Sequence, residues 1–134
     1  MARDNAELVH KAFDRAFVRR DIDAALELFD DEAVLDWSGS RAPYSGVYRG
    51  HAEIRTAFDG WTEAWEEWTP EIKEVIEVGA DTVITVTLVS ARGKGSGVPV
   101  RARGASVWRL RAGKIVHGTL LQSKEEALEA ANRG

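Results

Sequence analysis

Asp36 stands beside Trp37, and that pairing suits proton transfer better than any other in this chain of 134 residues. A carboxylate against an indole loses part of its water, which raises its pKa toward neutrality and makes it a usable general base. The competing role for Asp36 is to cap the loop that follows, Ser38-Gly39-Ser40. Glu74 shares strand parity with Ile72 and Ile76 and so aims inward, unless a bulge near Val75-Ile76 turns it out. His10 lies one helical turn before Phe13 and leans toward any pocket that Phe13 lines, so it is the second candidate to exchange a proton with a substrate.

Other chemistries lack their parts. The chain has 0 cysteines, hence no thiolate nucleophile, no disulfide and no Cys-based zinc site. His10, His51 and His117 fall in different elements with no paired spacing, so no metal is expected. His51-Ala52-Glu53 begins like a deaminase signature but has no cysteine ligands to complete it. Gly93-Lys94-Gly95-Ser96-Gly97 is followed by a strand, whereas a phosphate loop needs a helix behind it. No cofactor is expected.

Aromatic residues supply the remaining signal: the chain has 5 Trp, 4 Phe and 2 Tyr. Trp61, Trp65 and Trp68 recur at helical spacing behind Ile54 and Phe58. Rings on one face either fill a core or wall a cavity, and packing alone demands the same stripe in both cases. A cavity would draw on Phe13, Trp37, Phe58, Trp61, Trp65, Trp108 and Leu120 for its apolar wall. Tyr44 and Tyr48, from the loop before the third helix, and Ser106 and Gln122, from the sheet, would orient a ligand by hydrogen bonds.

Length and a content of 44% hydrophobic and 30% charged residues fit one globular domain spanning 1–134. The net charge of −4 lacks the basic footprint of nucleic-acid binding. No apolar run is long enough for a membrane span, and Met1-Ala2-Arg3-Asp4-Asn5 opens no signal peptide, so a cytoplasmic protein is expected. Arg101, Arg103, Arg109 and Arg111 fall on one side of a strand, as a solvated or subunit-facing stripe.

These residues must be positioned by elements that the periodicity locates. Asp4 with Glu7 caps a helix over 5–19 carrying Val9, Ala12, Phe13, Ala16 and Phe17. Asp21 caps a short second helix carrying Ile22, Ala25, Leu26 and Phe29, and a short strand follows through Ala33, Leu35 and Trp37. A third helix is predicted over 51–67 and strands over 71–78, 82–91, 98–110 and 114–122, with short turns implying an antiparallel meander. Ser123 with Glu126 starts a terminal helix over 124–131. Alternation puts the helices on the even-numbered face of the 82–91 and 98–110 strands. The last strand has competing faces, and its second apolar face, over 115–121, predicts a homodimer through the exposed side of the sheet.

The order of elements, with Leu28-Phe29-Asp30-Asp31-Glu32-Ala33-Val34, Tyr48-Arg49-Gly50-His51-Ala52-Glu53-Ile54-Arg55 and Val107-Trp108-Arg109-Leu110-Arg111-Ala112-Gly113-Lys114-Ile115-Val116, resembles SnoaL-like proteins of the nuclear transport factor 2-like superfamily. The resemblance implies an α+β cone, in which helices pack in the concave face of a strongly bent, mainly antiparallel sheet and leave a pocket at the wide end. That superfamily holds polyketide cyclases, isomerases, dehydratases and non-catalytic binding modules, and a fold does not carry chemistry with it. Laid on the ketosteroid isomerase pattern, Trp37 falls at the position of the aspartate base, Phe13 at that of the tyrosine, and Ser106 or Ala105 at that of the neutral acid. The expected function is to hold a small apolar molecule and catalyse a cofactor-independent proton transfer on it, of the cyclase, isomerase or dehydratase type; the alternative is a non-catalytic hydrophobic-ligand carrier or a dimerising interaction module.

Overall fold

The computed structural model describes residues 2–39, 45–93 and 95–132. Helix α1 (Ala2–Phe13) begins before Asp4, so the Asp4–Glu7 spacing lies inside the helix rather than at its start. It passes into a π-helical turn, Asp14–Val18, where the Arg19 amide reaches back to the Asp14 carbonyl at 2.8 Å. Helix α2 (Ile22–Leu26) is capped by Asp21, whose side chain accepts from the Ala24 amide at 3.1 Å.

Strand β1 (Phe29–Asp36) starts earlier than alternation suggested and takes Phe29 out of the second helix. Pairing decides this: β1 lies parallel to β6 (Lys114–Leu121), with Phe29 opposite Ile115, and that ladder outweighs a short helix's propensity. A short strand that the sequence did not signal, β2 (Val47–Arg49), adds antiparallel to β1. Helix α3 (Gly50–Ala64) then stops short of Trp65.

Trp65 and Trp68 therefore belong to strand β3 (Trp65–Val78) and not to the helix. A register shift between Trp65 and Glu67 puts both rings on one face, opposite Gly93 and Ala91 of β4 (Thr82–Gly93). A bulged strand thus imitates helical spacing. With β5 (Pro99–Arg111), the strand order is β2-β1-β6-β5-β4-β3 in one curved, unclosed sheet.

Directly opposed residues share a face of the sheet. Thr85 opposes Ser106 and Val83 opposes Trp108, so the inner face takes odd numbers from β4 and even numbers from β5. This corrects the even-face expectation for β4: Ile84 opposes Val107 on the outer side. There Ile84, Ala105 and Val107 pack with Ala127 and Ala131 of α4 (Lys124–Asn132). The Ser123 hydroxyl caps α4, accepting from the Glu126 amide at 3.2 Å.

The inner face meets α1 and α3 in the main core, where Val9, Leu35, Ile54 and Ile115 are almost wholly buried. Each such side chain contributes about 1.5–3 kcal/mol by leaving water. A register shift at Val116 explains the competing faces of β6: Leu110 opposes Ile115, whereas Arg109 opposes His117. Ile115 is therefore inward, while His117, Thr119 and Leu121 face out. Among the described residues no helix is long and apolar enough to cross a membrane.

Candidate functional site

Inside the cone, α1, its π-helical turn, α3 and the inner sheet face fail to meet, leaving a hollow of about 100 Å³. Phe13, Phe17, Trp37, Phe58, Trp61 and Trp108 supply six aromatic walls. The rings brace each other edge-on or tilted: Phe17 lies 5.3 Å from Phe13, 5.2 Å from Phe58 and 5.5 Å from Trp61, and Trp37 lies 5.4 Å from Phe58.

The floor comes from the sheet: Thr85, Thr87 and Val89 of β4, Ser106 of β5 and Leu120 of β6. Thr85 is 2% exposed and accepts from the Trp108 indole Nε1 at 3.0 Å. A hydroxyl that accepts still has its own hydrogen to donate. Ser106 stands opposite Thr85 in the ladder, so the two hydroxyls share one patch of floor. Thr87 lies one step along the same face and leans toward the Gly104 carbonyl at 3.5 Å. Among the described residues the lining holds no titratable side chain.

Seven of the predicted pocket residues meet at the hollow: Phe13, Trp37, Phe58, Trp61, Ser106, Trp108 and Leu120. Of the two alternatives at the neutral-acid position, Ser106 is on the floor and Ala105 is in the outer cluster. Trp65 packs behind Trp61 at 6.0 Å, and Tyr48 stands edge-on to Trp37 at 6.2 Å, so both back the wall without lining it. Gln122 donates to the Gly39 carbonyl on an exposed edge. Tyr44 lies outside the described residues.

The charged candidates are placed elsewhere. Asp36 opposes Thr119 on the outer face, and its carboxylate accepts from the Ser38 amide at 3.0 Å and the Ser38 hydroxyl at 2.6 Å. It caps the loop. Glu74 is turned out by a register shift between Ile72 and Glu74 and pairs with Lys124 at 2.9 Å. His10 is exposed on a separate groove with Glu7, Lys11 and Asp14. His117 sits on the outer face, with Nδ1 3.2 Å from the Thr119 hydroxyl. Burial pushes its pKa down, and Arg109 and Arg49 add to this against the pull of Asp36.

Sequence reasoning missed Phe17, Thr85, Thr87 and Val89. Phe17 was legible as the residue one turn beyond Phe13 on the same stripe. Thr85, Thr87 and Val89 depend on hairpin register, which alternation within a single strand does not contain. Among the described residues no group of three His, Asp or Glu side chains is placed to hold a metal.

A bent sheet wrapped around helices, with a hollow at its inner face, defines the nuclear transport factor 2-like class of fold. The chain belongs to the SnoaL-like domain family, whose model matches residues 9–118. Bal32a, from a soil-derived mobile gene cassette, is 22% identical over 96% of both chains, with a TM-score of 0.79. TerC, co-crystallised with polyporic acid, is 18% identical over 96% of this chain and 98% of that one, with a TM-score of 0.77. The Mycobacterium tuberculosis protein RV0760c, in complex with estradiol-17beta-hemisuccinate, is 18% identical over 91% and 95%, with a TM-score of 0.74. At such identities the likeness establishes fold alone. No curated protein matches the chain by sequence.

Proposed function

We propose that this protein, in the cytoplasm, binds a small, neutral, largely apolar molecule of about one ring, carrying one hydrogen-bonding oxygen, and does so without acid–base catalysis. One observation carries the reading: the described lining is six aromatic rings over a hydroxyl floor, with no ionisable side chain. Water fills such a space poorly, because each molecule needs two to four polar partners and only the floor offers them. Apolar hollows of this order take up benzene-sized molecules. A charged ligand would lose its hydration without gaining a counter-ion. The complexes of TerC with polyporic acid and of RV0760c with estradiol-17beta-hemisuccinate support small-molecule binding as a use of this fold.

The alternative of proton transfer needs a base at the hollow, and Asp36 is engaged with Ser38 on the other face of the sheet. Thermal-shift titration with p-cresol, toluene and benzoate tests the reading. A rise in Tm in the order p-cresol, toluene, benzoate is expected, and a benzoate effect as large as that of p-cresol contradicts it.

Self-association through the outer face belongs to the same proposal. With Ile115 turned inward and Leu121 packed against the α4 cluster, the surface left for a second copy centres on Val34, His117 and Thr119. Light scattering at micromolar concentration is expected to give twice the 14.8 kDa chain mass, and a species of one chain mass removes this part.

A further inference from the structure

Phe17 belongs to two hollows at once. Besides the main one, a smaller space of about 20 Å³ lies among Val9, Ala12, Ala16, Phe29 and Ile115, and Phe17 divides the two together with Phe13, Phe58 and Trp108; of these four rings it alone is carried by the π-helical turn. The hydrogen bonds of that turn reach five residues back, as from Arg19 to Asp14, instead of the four of an α-helix. The chain leaves the turn through Arg20, which has a positive φ of 57°, a conformation that a branched backbone with a Cβ adopts at a cost. The segment's own ties are local: the Arg19 side chain pairs with Asp14 at 2.8 Å, and the Asp21 amide donates to the Arg15 carbonyl at 2.8 Å.

Trp68 holds it from outside. Its indole Nε1 donates to the Phe17 carbonyl at 2.9 Å, and the Arg20 guanidinium lies 4.1 Å from the centre of its ring. The C-terminal end of the irregular stretch, from Phe17 to Arg20, is thereby fixed to one buried side chain on β3, which also stands edge-on to Trp61 at 6.1 Å. Resting on the small-molecule reading above, we infer that Trp68 sets the size of ligand the hollow accepts, by holding the turn so that Phe17 stays as the partition. With Trp68 in place the space fits about one ring; when the turn is released and Phe17 withdraws, the two spaces join and a fused polycyclic alcohol fits.

The test compares p-cresol with 9-phenanthrol in fluorescence titrations of the wild type, Trp68→Phe, Phe17→Ala, Arg20→Ala and the Trp68→Phe/Phe17→Ala double variant. Trp68→Phe keeps a buried ring but removes the hydrogen bond. It is expected to shift the affinity ratio toward 9-phenanthrol by about fivefold, the population change that one ordinary hydrogen bond allows. Phe17→Ala shifts it the same way, and the double variant goes no further than Phe17→Ala, because both substitutions act through one ring. Arg20→Ala, which leaves the core intact, shifts it in the same direction, and amide exchange at Arg19 and Asp21 quickens in Trp68→Phe.

An unchanged ratio in Trp68→Phe, or additive effects in the double variant, overturns the inference. If the wild type binds p-cresol and Trp68→Phe does not move the ratio, only this inference falls. If the wild type binds neither phenol, the small-molecule reading falls with it.

Discussion

The Trp108 indole donates to the Thr85 hydroxyl at 3.0 Å across neighbouring strands, so one aromatic wall of the hollow is tied to its polar floor. The bond fixes the ring's tilt and orients the hydroxyl at the same time. It also connects stability and binding in a way that substitution can separate.

Thr85→Val preserves shape but removes the acceptor. The Trp108 Nε1 is then left without its partner at a site where Thr85 is only 2% exposed. A loss of about 1–3 kcal/mol is expected in urea unfolding, the usual result of orphaning a buried donor. p-Cresol affinity falls more than toluene affinity, since only the former uses the floor.

Gly118 allows Trp108 to lie where it does. A Cβ at Gly118 would come within 2.6 Å of Trp108 Cζ3 and 2.8 Å of its Cε3. Gly118→Ala therefore forces the ring toward the hollow, costing about 1–3 kcal/mol of stability by overpacking and weakening ligand binding. Unfolding and titration of the same preparation check both effects.

Asp36 separates the binding reading from the catalytic one. As a cap for Ser38, its replacement by Ala costs about 0.5–1.5 kcal/mol of stability and leaves p-cresol affinity unchanged. A large fall in affinity on Asp36→Asn, with the fold intact, would restore the carboxylate to the site.

His117 sets a pH dependence with a definite sign. Its folded pKa is lowered from 6.5, chiefly by burial, so below that value the unfolded chain takes up the proton first. Stability contributed by neutral His117 is complete above pH 6.5 and is lost as pH falls from there to the folded pKa. Urea midpoints measured over this window are expected to drop on acidification in the wild type, and to drop less in His117→Gln.

What the sequence made legible follows from how local each feature is. Helix caps at Asp21 and Ser123 depend on residues within one turn, and both are found where the spacing placed them. The aromatic wall was legible for the same reason, since Phe13, Phe58 and Trp61 lie on helical stripes. Trp65 was placed on the third helix, with Trp68 continuing its spacing, because a strand with a register shift between Trp65 and Glu67 reproduces a three-residue repeat. Which of Thr85 and Ile84 faces inward was hidden, since the answer lies in the pairing of Thr85 with Ser106 and not in either strand alone. Asp36 was ambiguous until its parallel pairing with Thr119 put it on the outer face.

If the hollow holds a neutral ring, its lining is where a bound phenol must be felt. Titration of isotope-labelled protein with p-cresol, followed by NMR, tests this most directly. Shifts are expected at the Thr85, Thr87 and Ser106 amides and at the Trp61 and Trp108 indoles. Shifts gathered instead at the outer groove of Leu26, Asp31, His51 and Lys114, or none at saturating p-cresol, would contradict it.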